Sequence, residues 1–323
     1  MTGGSGSAHA LRIAALAAMM LCGSSALAVD AAMKDAAGQP VVARDASRIV
    51  SIGGAITEIL YALGKDADVV GVDTTSQYPP RALKDKPNVG YMRQLSPEGV
   101  LGLTPSLILA SEGSGPKETL SVLEAARVPL VLVPDHFTAE GILDKIKIVS
   151  RSVGAGERGD CIVKVLRADF AALDTLKTRI EKPKRVMFVF SFVGSRAMVA
   201  GHHTAANGII ELAGGVNAID AFDGYKQIND EAVAAVKPDI VLAMTRSHAP
   251  AMTAEEVFSN PAFALTPAAK NKSFALVEAL SALGFGPRTA LAARDLFGTL
   301  YPSLKSAPFP SEQASGGIES CIP

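Results

Sequence analysis

The sequence predicts an α/β protein of two lobes with mostly parallel sheets, bridged by one long α-helix, and three observations carry that prediction. Short β-branched runs alternate with helix-length segments of apolar periodicity, which is how parallel βαβ units read. The segment from Glu157 to Ile180 has no Pro and, after Gly159, no Gly, with apolar residues at Ile162, Val165, Leu166, Phe170, Leu173 and Leu176. That spacing is one long amphipathic helix, far longer than the helices around it. Finally, the stretch from Ser96 to Ala110 recurs from Asn229 to Ala243 at a constant offset of 133 residues, pairing Glu98 with Glu231 and Pro105 with Pro238.

Composition agrees with this class. The chain has 323 residues, 48% hydrophobic and 20% charged, which is globular and enough for about two domains of ~100–200 residues. Its apolar content excludes a disordered chain, and three cysteines exclude a disulfide scaffold. With 31 basic and 32 acidic side chains and no basic run, nothing favours nucleic acid as a partner. Aromatics are few: 12 Phe, 5 Tyr and no Trp.

The first 28 residues read as a cleavable export signal. Arg12 precedes the apolar run Ile13 to Cys22, and Ala26-Leu27-Ala28 supplies the small-residue pattern for cleavage after Ala28. The run is too short to span a bilayer. Cys22 follows Leu21, which is bulkier than the residue a lipid-attachment cysteine takes before it. Removing the leader takes away Arg12 alone, so the mature chain is one unit more negative, and the expected compartment is the periplasm. Cys161 and Cys321 remain there, free to pair or to stay apart.

Residues 29–45 read as a loose leader. The N-terminal lobe, residues 46–155, opens with a strand from Arg48 to Ile52. Gly53-Gly54 turns it into a helix over Ala55 to Leu63, stopped by Gly64. Strands follow at Val69 to Val72, Leu107 to Ala110 and Leu130 to Val133, with helices from Ser96 to Leu103 and Pro116 to Ala126 between them. The bridging helix occupies 156–182 and stops at Pro183. The C-terminal lobe, residues 183–302, resumes the pattern with strands at Arg185 to Phe190, Met198 to Ala200, Ile240 to Ala243 and Phe274 to Val277. Its helices span Ala205 to Ala213 and Pro287 to Leu300. Residues 303–323, rich in Ser, Gly and Pro, read as a flexible tail.

Enzyme signatures are missing. There is no G-x-S-x-G elbow, Walker A loop or H-E-x-x-H, and Gly53-Gly54 lacks dinucleotide-fingerprint spacing. Four histidines follow the leader: His136, His202, His203 and His248. A site of scattered His and carboxylates keeps a periplasmic α/β enzyme open as an alternative.

Asn88-Val-Gly-Tyr91-Met92-Arg93 forms a loop between Pro87 and the helix near Ser96, where α/β sheets present ligands. Out of context, Tyr91 reads first as a hydrogen-bonded surface aromatic. Together with Arg48-Ile-Val-Ser-Ile-Gly-Gly-Ala-Ile-Thr-Glu-Ile-Leu-Tyr-Ala-Leu-Gly, Leu95-Ser-Pro-Glu-Gly-Val-Leu and Lys237-Pro-Asp-Ile-Val-Leu, the loop resembles the periplasmic haem-binding proteins of bacterial haem-uptake ABC transporters. The likeness runs from about residue 46 to 300. Its strand-helix and Pro-Asp elements are shared with ferric siderophore and cobalamin binders, which are the alternative reading; the Gly-Tyr-Met-Arg loop is what points to haem.

The resemblance implies a cleft between the lobes holding haem b as transported ligand, with Tyr91 as axial iron ligand. A phenolate is a hard anionic oxygen suited to ferric iron. Arg246 matches the arginine that reaches across the cleft toward the tyrosinate, and Arg93 is a second cation for the tyrosinate or a propionate. His202 and His203, ahead of a helix, are a second haem ligand or a capping pair; Met92, Tyr225 and His248 are weaker pocket candidates. Glu98 and Glu231, one per lobe, match the glutamates that dock on the inner-membrane permease dimer with its ATPase, although helix-start carboxylates also favour the helix dipole. An outer-membrane haem receptor upstream is the further implied partner. The resemblance implies binding and delivery, not catalysis.

Overall fold

The computed structural model describes residues 33–194, 196–245, 250–304, 306–312 and 317–321, with Met1 and Gly3. Apart from Met1 and Gly3, the predicted export signal therefore lies outside the described residues, as do Arg246 and His248. No helix among the described residues is long and apolar enough to cross a membrane.

The N-terminal lobe runs β1 (Ile49–Ile52), α1 (Gly54–Ala62), β2 (Val69–Val72), α2 (Arg81–Asp85), α3 (Pro97–Leu101), β3 (Leu107–Ser111), α4 (Lys117–Ala125), β4 (Leu130–Val133) and α5 (Ala139–Ser152). Its four strands lie in the order β2-β1-β3-β4, and every pairing is parallel. The central strands β1 and β3 are wholly buried, which is why they read as continuous apolar runs rather than alternations; β4, at the edge, alternates in burial.

The long helix is α6 (Gly156–Lys177), 22 residues. It is separate from α5: Gly154 at φ +67 turns the chain between them. Ile162, Leu166, Phe170 and Leu173 are buried along one stripe, and the helix packs on α5 of the first lobe.

The second lobe runs β5 (Arg185–Val193), β6 (Arg196–Ala200), α7 (Ala205–Leu212), β7 (Val216–Asn217), β8 (Tyr225–Ile228), α8 (Asp230–Val236), β9 (Ile240–Thr245), α9 (Ala254–Phe258), α10 (Pro261–Ala264), α11 (Pro267–Lys270), β10 (Phe274–Glu278), α12 (Ala279–Leu283) and α13 (Thr289–Leu300). Helix α13 packs on α6 from this side, so one helix touches both lobes. The sheet order is β10-β9-β5-β6-β8, with β7 beside β5. Strands β10, β9 and β5 run parallel, whereas β5, β6 and β8 form an antiparallel meander. The second sheet is therefore mixed, and β8 adds a strand that is not among those the sequence predicts. Its residues Tyr225, Lys226 and Gln227 are exposed, so no apolar alternation marks them.

One apolar cluster runs through both lobes, joining Ile49 and Leu60 to Phe188, Leu242 and Phe297. Beyond α13, the described part of the segment read as a loose tail makes defined contacts. Phe309 is buried beneath Arg294, Ser311 N–H donates to Asp169 Oδ1 at 3.0 Å, and Cys321 is bonded to Cys161 on α6, Cα atoms 5.7 Å apart. Partners this remote in sequence are invisible to composition.

Candidate functional site

A cavity of about 450 Å³ opens between the lobes, within the range of small-molecule sites. Its walls come from the carboxyl ends of strands in both sheets: Gly53 after β1, Ser111 ending β3, Asp135 after β4, Met244 in β9 and Ala279 after β10. Ligands in α/β proteins gather at this edge because loops there converge while the strands stay fixed.

Tyr91, Met92 and Arg93 line the cavity from the first lobe, and Tyr91 is 40% exposed. Their loop is fixed through its backbone. Asn88 Oδ1 accepts from Gly90 N–H at 2.8 Å, Thr74 N–H donates to Gly90 C=O, and Gly115 N–H donates to Met92 C=O, each at 2.9 Å. Gly90 sits at φ +96, backbone that only glycine enters cheaply. The residue before Tyr91 therefore sets where the phenol goes.

From the second lobe come His203, Thr204 and Tyr225. His203 adopts a left-handed backbone at φ 55, and its Nε2 is 3.9 Å from Asp223 Oδ1 with both side chains exposed, too loose to fix the ring. Tyr225 stacks edge-on against Phe190 at 5.4 Å between centroids. Desolvation pushes its phenol up, while the Ala206 backbone, the Thr204 hydroxyl and the Arg93 guanidinium pull it back. His202 is not among the lining residues: its backbone pairs with Phe222 and Gly224.

Glu98 and Glu231 lie outside the cavity, both exposed and both in the first turns of equivalent helices, α3 and α8. Ser96 caps α3 and Asn229 caps α8, each accepting from a backbone N–H three residues on, so the 133-residue offset extends to the caps.

Sequence reading did not find the rest of the wall. Asp135 lies at the cavity, accepting from Lys145 Nζ at 2.8 Å and from the Ser111 hydroxyl at 3.3 Å. Helix α12 contributes Ala279, Leu280 and Leu283. The signal for Asp135 and Phe137 was their place just beyond a predicted parallel strand. Helix α12, a single short turn of Ala, Leu and Ser, gave none. Gly54 permits the close approach here: a Cβ on it would lie 2.2 Å from Thr75 O and 2.7 Å from Leu280 of the other lobe.

Two α/β lobes on a shared helix, with a cavity at the facing strand ends, define a binding protein of the helix-bridged type, and comparison with known proteins agrees. Residues 49–279 match the Periplasmic binding protein family, and the chain belongs to it. A solved structure of a periplasmic heme-binding protein, BhuT in complex with two hemes, superposes at a TM-score of 0.74 with 36% identity, over 80% of this chain and 99% of that one. An uncharacterized ABC transporter substrate-binding lipoprotein, YvrC of Bacillus subtilis (strain 168), is 29% identical over 244 residues, 70% of this chain and 77% of its own length. A vitamin B12-binding protein of Yersinia pestis (strain Pestoides F) is 29% identical over 208 residues, 62% of this chain and 70% of its own. The chain is accordingly a substrate-binding protein of ABC transport, working with a membrane permease and ATPase, and not an enzyme.

Proposed function

We propose that this protein captures ferric haem in the inter-lobe cavity outside the cytoplasmic membrane and delivers it to its permease, after export with cleavage behind Ala28. The observation that supports haem best is the Gly90-Tyr91-Met92-Arg93 loop, held by backbone bonds at the cavity, in a chain similar over most of its length to a haem-binding structure. In this reading Tyr91 supplies the axial oxygen and Arg93 a cation for its phenolate or a propionate; Arg246, just past β9, is proposed for the same task. Tyr225, Met92 and His203 line the porphyrin, and His202 holds the backbone beside them. The apolar wall of Ala55, Phe137 and Leu280 supplies burial of the macrocycle.

Titration with hemin tests this. A ferric, tyrosinate-type visible spectrum that Tyr91→Ala abolishes is the expected result; no spectrum, or one indifferent to that substitution, overturns it. Titration also counts one or two haems, with His202→Ala and His203→Ala deciding whether a second uses either. The similarity to vitamin B12-binding proteins favours cobalamin as the second reading, tested by the same titration with cyanocobalamin, whose uptake would not depend on the Tyr91 oxygen. An outer-membrane haem receptor would supply the ligand.

A further inference from the structure

Glu58 on α1 belongs to the first lobe and Arg288, just before α13, to the second, 230 residues away. They meet in a two-pronged ion pair: Arg288 Nε donates to Glu58 Oε1 at 3.1 Å and Nη2 to Oε2 at 3.0 Å. The Glu58 side chain is only 5% exposed. Tyr78, from the first lobe's loop after Gln77, lays its ring on the guanidinium, 3.8 Å from centroid to Cζ. On the other side Nη1 lies 3.7 Å from Glu278 Oε2. Glu278 caps α12, accepting from Leu280 and Ser281 N–H at 2.8 Å each, and α12 is a wall of the cavity.

We propose that Glu58 and Arg288 form an inter-lobe latch that positions α12 and the loop carrying Thr75, Gln77 and Tyr78 against one another, and so sets the aperture through which the ligand leaves. Neither residue lines the cavity; both act through groups that do. The seam around them is close-fitted: Ala55 Cβ lies 3.3 Å from where a Cβ on Gly286 would stand, and Phe137 meets Phe285 edge-on at 5.2 Å. A planar guanidinium with a fork of donors binds one carboxylate while stacking on an aromatic ring, which an ammonium cannot do. Arg288 also separates two acids. Without it the buried Glu58 carboxyl has no counter-charge beside Glu278, and the contact that holds the α12 wall to α1 is lost. Burial already pushes the Glu58 carboxyl up and Glu278 adds to that, with Arg288 pulling back.

The proposal rests on the cavity being the ligand site, and its test has one arm that needs no haem. In the full-length apo protein, hydrogen–deuterium exchange of Glu58→Gln is expected to quicken in 279–283 and 74–80 and stay unchanged in β1, β3 and β9. With hemin loaded, dissociation is expected to rise about tenfold, equivalent to ~1.4 kcal/mol, with the ferric spectrum unaltered. Arg288→Lys, which keeps charge but not the fork, is expected to fall between parent and Glu58→Gln, and it decides the matter should Glu58→Gln fail to fold. Unchanged exchange at α12, or loss of protection spread through the whole chain, overturns the latch. If the parent binds no hemin, the haem reading falls and the apo exchange arm alone decides the latch.

Discussion

At Tyr91 the placement of one phenol depends on its neighbour. Gly90 has room for a side chain, since a Cβ there would meet nothing closer than 3.9 Å, but its φ of +96 disfavours one. Gly90→Val is therefore expected to leave the fold intact at a cost of about 1–2 kcal/mol, shifting the loop at the cavity wall so that hemin affinity drops roughly tenfold; a melt and a titration read the two effects. The pair Asp135–Lys145 is asymmetric in another way. The Lys145 side chain is 1% exposed and that of Asp135 23%. Asp135→Ala strands a buried ammonium and should cost about 3 kcal/mol, whereas Lys145→Met leaves a carboxylate that reaches water at the cavity and should cost about 1 kcal/mol. Denaturant unfolding of both variants checks the order.

Among the elements, tail docking carries opposed pH dependences. Asp169 on α6 is buried, and burial raises its carboxyl above the ordinary 3.8 despite the Ser311 bonds and Arg294. The folded state then holds this proton more tightly than the unfolded one, so its contribution to stability falls as pH rises above 3.8 through the folded value. Glu312 is the reverse. Burial opposes its charge, but the bonds from Arg294 and Phe309 N–H win and lower it below 4.5; its contribution is present above 4.5 and lost as pH falls through the folded value. Asp169→Asn, which keeps an acceptor for Ser311 N–H, is expected to stabilise the protein increasingly as pH rises from 3.8 through the folded value, and by a constant amount above it. Glu312→Gln is expected to destabilise it at neutral pH and to converge on the parent in acid. Thermal melts across that range test both. These contacts also mark where sequence reading stops. Local period gave β1, β2 and β4 almost to the residue, because buried parallel strands are continuous apolar runs. It missed β8, whose Tyr225-Lys226-Gln227 faces solvent, and it left Cys161–Cys321 undecided, since pairing over 160 residues is fixed only by how α6 and the tail pack. In the site, the Tyr91 loop was legible from its motif, whereas Glu58–Arg288 joins a glutamate in the middle of α1 to an arginine just ahead of α13, a pairing with no local signature.

Over the whole molecule, charge and symmetry divide the work. The net charge of -1 provides no general attraction for an anionic ligand, so in the proposed reading capture would fall to cations at the cleft such as Arg93, and delivery to the outside of both lobes. There the 133-residue repeat has a physical use. It places Glu98 and Glu231 in the first turns of α3 and α8, each behind its own cap and each in solvent. A permease with two-fold symmetry meets a two-lobed partner best when each lobe offers the same charge, since complementary charges at an interface set orientation and encounter rate. Helix capping alone does not require this, because Ser96 and Asn229 already satisfy the N-terminal N–H groups. Glu98→Ala and Glu231→Ala are therefore expected to leave hemin affinity and melting temperature unchanged, each to reduce ligand-stimulated ATPase of the reconstituted transporter several-fold, and together to abolish it. Full stimulation by the double variant would return both glutamates to the helix-dipole role, and a changed hemin affinity would move them into the binding site instead.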